Sequence, residues 1–232
     1  MTDKIPEMYD RASELFDSGR YEESLKIYEE LFSIFKSALK ENDIHIVDAM
    51  YNVSLTLNRL RRHEEALPLA ERSFEICAEI FGYKHEATIR AMDNFAITLY
   101  ALECYEEALP IYERVVKIRK ELFGYNTSTI CDMDNLANTL SELKRYEEAL
   151  PICEEILDFY KKNYGETYHE TINYTFIVAR FLGELKRYDK ALKLLNKVLK
   201  SSKKLLRKNS AEFKEFQKNI QWAIDRYTKA KD

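Results

Sequence analysis

Histidine, cysteine and paired carboxylates are the residues of this 232-residue sequence that could do metal, nucleophilic or acid–base chemistry. Their spacing supports none of it. His45, His63, His85 and His169 form no HExxH and no pair four apart, the arrangement that puts two imidazoles on one helix face for a zinc ion. Cys77, Cys104, Cys131 and Cys153 stand 27, 27 and 22 residues apart, without the close pair that a metal site or a redox dithiol needs. They are expected as free, mostly buried thiols, which fits a reducing compartment. Glutamate pairs are abundant, but they recur at regular intervals, whereas a catalytic dyad occurs once. GxGxxG, GxxxxGK[ST] and GxSxG are all absent, and with them the common phosphate-binding and acyl-transfer signatures. The expectation is a chain that is not an enzyme and that takes no cofactor and no metal.

Charge and hydropathy narrow the partners. The formal net charge is −4, but residues 186–232 carry 15 Lys+Arg against 5 Asp+Glu, leaving 21 against 35 in residues 1–185. A phosphate backbone needs a continuous positive track, so nucleic acid is not an expected partner of this acidic body. The basic C-terminal pole is either a solvated face, a contact for an acidic partner, or a surface for head-to-tail self-association. No stretch approaches 18 uninterrupted apolar residues, so no membrane span is expected. The N-terminal MTDKIPEMYD has neither the basic start nor the apolar run of a secretory signal, and the expected location is cytoplasmic.

The elements that position these residues are helices. Five Gly and four Pro are too few for the turns of a β-rich fold, and the helix formers Leu, Glu, Lys and Ala dominate. One pentapeptide recurs, opening at Tyr21 (YEESL), His63 (HEEAL), Tyr105 (YEEAL), Tyr146 (YEEAL) and Tyr188 (YDKAL), at intervals of 42, 42, 41 and 42 residues. A fixed period of this size means stacked supersecondary units. Nine residues before the pentapeptide lies a small side chain each time: Ala12, Ser54, Ala96, Ala137 and Ala179. Six before it is always leucine, as Leu15, Leu57, Leu99, Leu140 and Leu182; three after its first residue is small again, as Ser24, Ala66, Ala108, Ala149 and Ala191. Small residues recurring on two helices mark a close crossing, where a larger side chain overpacks at a cost of about 1–3 kcal/mol.

Local signals set the boundaries. The paired acids open the second helix of each unit, near the positive end of its dipole. Pro68, Pro110 and Pro151 are expected in its first turn, where a missing N–H costs nothing. Gly82, Gly124 and Gly165 are expected to end it in the left-handed conformation. Repeat one has Asn42 as the candidate cap instead. Ten helices are predicted at about 6–18, 22–40, 45–61, 64–81, 86–103, 106–123, 128–144, 147–163, 168–186 and 189–207. Phe213, Phe216, Ile220, Ile224 and Tyr227, with Trp222 beside them, recur at helical spacing. They predict an eleventh helix at about 210–230 that caps the last repeat or, alternatively, docks a partner.

This pattern resembles tetratricopeptide repeats (TPRs). The 42-residue length, with stretches such as YEEALPIYERVVKIRKELFG, is similar to the long repeats of kinesin light chain over residues 6–206. The heptad coiled coil of kinesin light chains has no counterpart in the sequence, so only the repeat type carries over. The resemblance implies an all-α fold: one domain over residues 1–232, a right-handed α-solenoid of five TPR helix pairs plus a C-terminal capping helix. The pairs would span about 6–40, 45–81, 86–123, 128–163 and 168–207. It also implies that His85 and His169, in the matching loops HEATI and HETI, serve packing and the turn.

In the resembled family the first helix of each pair lines a concave groove. The residue eleven before the pentapeptide points into it and is often asparagine, whose amide both donates to and accepts from a peptide backbone. Here that series is Asp10, Asn52, Asn94, Asn135 and Ile177; the alternative role for such an amide is a bond to a neighbouring helix. The same face carries Tyr51, Leu55, Asn58 and Arg59, then Arg90, Asp93, Ile97 and Tyr100, then Cys131, Asp134, Asn138, Phe176 and Arg180. The candidate groove set is Tyr51, Asn52, Leu55, Arg59, Arg90, Asn94, Ile97, Asn135, Asn138 and Arg180. It mixes apolar side chains with amides for a backbone and guanidinium groups for carboxylates. The lysine–asparagine pairing with which some relatives clamp chaperone tails is replaced by pairs such as Tyr51 with Leu55 and Asp93 with Ile97, so a chaperone-tail adaptor is not expected. The expected partner is a protein or extended peptide with some acidic character, held by a scaffold or adaptor. A receptor for a small signalling peptide or metabolite, and a self-assembling module, are the alternatives.

Overall fold

In the computed structural model, which describes residues 4–40, 42–205 and 211–231, the described residues form helices and turns and no strand. The helix pairs are α1 (Ile5–Asp17) with α2 (Tyr21–Ala38), α3 (Ile44–Arg59) with α4 (His63–Phe81), α5 (Glu86–Ala101) with α6 (Tyr105–Phe123), α7 (Thr127–Glu142) with α8 (Tyr146–Tyr164), and α9 (His169–Glu184) with α10 (Tyr188–Leu205). An eleventh helix follows, α11 (Ala211–Lys231). They gather into two compact units, Met1–Arg119 and Lys120–Asp232.

The small positions are where each pair closes. Ala12, Ser54, Ala96 and Ala179 on the first helices, and Ser24, Ala66, Ala108, Ala149 and Ala191 on the second, are fully buried, with Ala137 at 1% exposure. The approach is close enough that the Ser24 hydroxyl donates across the α1–α2 crossing to the carbonyl of Ala12, at 2.8 Å. Around these crossings the core of the first unit is built from Leu25, Leu31, Ile46, Val53, Leu57 and Ile76.

The recurrent leucine six before the pentapeptide has a second role in the turn. The backbone N–H of Arg62 donates to Leu57 O at 3.0 Å and that of Arg61 to Asn58 O at 3.1 Å, the two bonds of a Schellman cap. The same pair of bonds ends α1, α5, α7 and α9 at Leu15, Leu99, Leu140 and Leu182. This cap needs a left-handed residue. Repeat one supplies Gly19, but the others use Arg61, Glu103, Lys144 and Lys186, at φ of 57° to 61°. The helices α3, α5, α7 and α9 therefore end two residues before their predicted limits.

The turns between repeats differ from expectation in three respects. Gly82 and Gly165 do close α4 and α8 with positive φ, but with ψ of 170° and 175°, a region open essentially to glycine alone and distinct from the left-handed helical one. Extended ψ is what carries the chain away from the helix toward the next repeat. Asn42 does not cap α2, which ends at an extended Leu39; Asp43 instead caps α3, accepting from the His45 N–H at 3.0 Å. His85 and Asn126 occupy the same N-cap position, accepting from the N–H groups of Ala87 and Thr129. Tyr168 is their counterpart, so His169 is the first residue of α9 and not the equivalent of His85.

Pro68, Pro110 and Pro151 lie inside α4, α6 and α8, because those helices begin at the pentapeptide's own first residue. Each proline removes one bond to the carbonyl four residues back, on Glu64, Glu106 and Glu147. Those residues are exposed, so water can take the place of the lost donor.

The predicted eleventh helix packs on α10 and α9. Ile220, Ala223 and Tyr227 are buried, while Trp222 points to solvent; the side chain of Phe213 lies outside the described residues. Gly183 makes room for this packing. A Cβ there would sit 2.0 Å from the Tyr227 ring, so α11 seats only over a glycine.

Two glycine exchanges test the turns in opposite directions. Lys144→Gly removes a side chain from the left-handed region and is expected to raise the free energy of unfolding by about 1 kcal/mol. Gly165→Ala is expected to lower it by about 1–3 kcal/mol. Urea denaturation followed by circular dichroism reads both, and equal signs for the two variants would contradict the assignment.

Candidate protein-binding surface

In the first unit the candidate residues lie on α3 and α5, which touch each other directly. The guanidinium of Arg90 on α5 lies over the Tyr51 ring of α3, 4.9 Å from its centroid. Such a contact contributes about 0.5–1 kcal/mol at an exposed site and holds both side chains in place. Asn52 and Leu55 are half-buried next to Tyr51, and Arg59 is exposed one turn on. Ile97 is exposed on α5. The Asn52 amide has no hydrogen-bond partner among the described residues.

Asn94 has the other role weighed for these amides. It is buried at 2% exposure. Its Nδ2 donates to Ser54 Oγ at 2.7 Å, and its Oδ1 accepts from Asn58 Nδ2 at 3.1 Å. Asn58 also donates to Thr98 Oγ1 at 2.7 Å and meets His63 Nδ1 at 3.0 Å. Asn94 and Asn58 thus tie α3 to α5, and Asn94 is withdrawn from the face it was expected to serve. Ser54 stands where the other first helices have alanine; its hydroxyl donates to Tyr51 O at 2.9 Å and offers Asn94 an acceptor at a buried crossing. Its neighbour Asp93 is not available either. One carboxylate oxygen of Asp93 is buried without a partner, and burial, offset by nearby Arg119, raises its pKa to about 6.

Two stability measurements follow. Asn94→Ala removes the two bonds that join Asn94 to Ser54 and Asn58 across α3 and α5 and is expected to cost about 1–3 kcal/mol. Asp93 binds its proton more tightly folded, at about 6, than unfolded, near 4. Its ionisation therefore withdraws stability as pH rises from about 4 through about 6. Asp93→Asn is expected to stabilise by about 2 kcal/mol at pH 7.5 and by little at pH 4.5. His63 runs the opposite way, since burial and Arg61 lower its pKa. The difference between wild type and Asp93→Asn across pH isolates the carboxyl, and a difference that does not change with pH would refute its assignment.

The second unit carries its own candidates. Asn135 on α7 is half-buried and its amide, like that of Asn52, has no partner among the described residues. Asn138 is exposed and donates within its helix to Asp134 Oδ2 at 3.3 Å. The other oxygen of Asp134 accepts from the Tyr174 hydroxyl at 2.6 Å, which holds α7 to α9. Phe176 is buried, edge-on to Phe216 of α11 at 5.3 Å. Arg180 is exposed on α9. The sequence left open which of the asparagines ties neighbouring helices together, and it did not point to a cleft between α9 and α11. The signal for the second was Gly183, a glycine inside a helical pattern.

Other reactive groups are placed by packing. Cys77 and Cys153 are buried, which pushes their thiols up to about 11 and about 12. Cys104 is half-buried, and Cys131 is exposed on α7. The His85 ring stacks on Phe81 with centroids 4.4 Å apart, the packing and turn role expected of it. Among the described residues no group of three His, Cys, Asp or Glu side chains could hold a metal ion, and no helix is long and apolar enough to cross a membrane.

Helix pairs of this kind, packed consecutively and presenting mixed polar and apolar side chains from their first helices, define a repeat scaffold. The tetratricopeptide repeat profile matches residues 5–72, 45–121 and 129–204. The chain belongs to the tetratricopeptide repeat family, with repeats of the kinesin-light-chain type. Among solved structures it is similar to the TPR-like repeats of a putative kinesin light chain from Podosopora anserina: TM-score 0.75, 18% identity, 90% of this chain and 99% of that one covered. It is similar to BtubC (BKLC) from P. vanneervenii, at TM-score 0.70 and 13% identity over 87% of this chain and 80% of that one. The apo form of RapI is similar at TM-score 0.72 and 19% identity over 95% of this chain and 80% of that one. A comparison with curated proteins finds no match. These identities establish the fold, and the fold is in general a support for protein–protein interaction, typically without enzymatic activity.

Proposed function

We propose that this chain is a non-catalytic cytoplasmic scaffold that holds an extended segment of a partner protein against its first helices. The observation that supports this reading is the state of Asn52 and Asn135. They occupy equivalent positions in their repeats, are half-buried, and have amides without partners among the described residues. An amide offers a donor and an acceptor side by side, the complement of a peptide unit in extended conformation. In the first unit the Tyr51–Arg90 stack, Leu55, Arg59 and Ile97 add apolar surface and positive charge for side chains of mixed apolar and acidic character. In the second, Arg180 adds positive charge and Asn138 a further amide. Asn94 belongs to the fold and not to the binding set. The free thiols are in keeping with a cytoplasmic setting.

The double variant Asn52→Ala with Asn135→Ala tests the reading on a partner identified by proximity labelling. Fluorescence anisotropy with the labelled partner segment is expected to show affinity about tenfold lower or worse, at an unchanged unfolding midpoint. Full affinity in the folded double variant would place the binding surface elsewhere.

A further inference from the structure

In the second unit α9 and α11 leave between them a cleft of about 260 Å³, lined by Phe176, Arg180 and Glu184 on one helix and Asn219, Trp222 and Arg226 on the other. Trp222 is 60% exposed, more than any other large apolar side chain described, although nothing in its helix requires an aromatic in water. The indole is nevertheless held in place. The Arg226 guanidinium lies 5.3 Å from its ring centroid, and the same guanidinium donates to both carboxylate oxygens of Glu184, at 2.8 and 3.3 Å.

That pairing decides the charge of the cleft. Glu184 is its one acid and is neutralised by Arg226, whereas Arg180 has no acidic partner among the described residues. The amide of Asn219 and the indole N–H are also without partners there. The cleft therefore presents a fixed apolar plate beside unused hydrogen-bond donors and one uncompensated positive charge. It lies at the end of the chain where Lys and Arg outnumber Asp and Glu by 15 to 5.

We propose that this cleft is a docking subsite for an acidic segment of a partner protein. A carboxylate of that segment pairs with the fork of the Arg180 guanidinium, and an adjacent apolar side chain covers the indole of Trp222. The inference rests on the reading of the chain as a scaffold for a segment with acidic character and adds a place where that segment is anchored and the side chains that hold it.

Trp222 is the only tryptophan of the chain, so its emission reports this cleft and no other surface. The probe is the tryptophan-free peptide acetyl-DEFDEL-amide, with acetyl-NQFNQL-amide as its uncharged control. Titration of the full chain with the acidic peptide is expected to shift Trp222 emission to the blue, saturably, with apparent affinity falling about tenfold or more for the control peptide and for Arg180→Glu. Raising salt from about 50 to about 500 mM is expected to weaken it as well. Arg180 is exposed, so the variant keeps its fold, which the unfolding midpoint checks. Unchanged emission, or an equal response in Arg180→Glu, would overturn the subsite. Emission that changes on dilution without peptide would overturn it too, assigning the cleft to a second copy of the chain. A peptide that binds by anisotropy but leaves Trp222 unperturbed would overturn the cleft while leaving the first-helix surface standing, and Asn52→Ala with Asn135→Ala would then abolish that binding.

Discussion

The helix pairs of this protein close over buried side chains no larger than serine. With Ala12 against Ser24, and Ala96 and Ala108 fully buried in the third repeat, the backbones come close enough that their separation is set by main-chain atoms. Larger side chains are then confined to the flanks of each crossing, where Leu15, Leu57, Leu99, Leu140 and Leu182 recur. The constraint explains the period. A pair that crosses at a fixed depth and turns on a Schellman cap presents the same surface to the next pair, and units of equal length stack. It also explains why the loops vary more than the helices: Gly19 and Lys144 serve the same left-handed position, and Asp43, His85 and Asn126 the same N-cap. A turn needs one conformation, whereas a crossing needs one volume.

The same constraint divides the polar residues. Where a crossing residue is alanine, nothing polar is created at the interface; where it is serine, as at position 54, the hydroxyl draws in Asn94, and Asn94 draws in Asn58, Thr98 and His63. A buried network of this sort is tightly constrained, since each of Ser54, Asn58 and Asn94 makes more than one bond in it. It fixes the first helices of repeats two and three against each other and leaves the side chains just outside it, Asn52 and the Tyr51–Arg90 stack, on a surface that does not shift. Rigid support beneath adaptable side chains is the arrangement that lets a binding face keep its shape before its ligand arrives.

The fold was legible because its signals repeat. A small residue or leucine found once is weak evidence, but five instances in register leave one architecture, and the helices lie within a few residues of the limits read from the pattern. The site was only partly legible. Asn52, Asn94 and Asn135 are indistinguishable in one sequence, because whether an amide faces a ligand or a neighbouring helix depends on what stands across from it, and Ser54 is 40 residues from Asn94. Asp93 shares that face by periodicity for the same reason, although it is only half-exposed and one of its carboxylate oxygens is buried. His169 was aligned with His85 through similar neighbours, yet a single-residue offset moves it from cap to first turn. Helical periodicity specifies a face to within a turn, and hydrogen bonding then selects among residues that share it.

The end of the array shows how α11 takes the place of a further repeat. In repeats one and three the aromatic that opens the second helix meets a ring on its own first helix, Phe16 with Tyr21 and Tyr100 with Tyr105, each at 5.2 Å. Repeats four and five have Ser141 and Gly183 at that position, too small to supply a ring. Tyr146 instead meets Phe181 of the following first helix, at 5.5 Å. For Tyr188 the ring it meets is Tyr227 of the following helix, α11, at 5.9 Å. Tyr227 thus performs for the last pair what Phe181 performs for the one before. It passes directly over Gly183 and places its hydroxyl 3.3 Å from the carbonyl of Arg180. α11 therefore occupies the place of a following first helix. Its buried side completes the core as any later repeat would, and Trp222, at the position of Phe176 in α9, stands exposed at the cleft between the two helices.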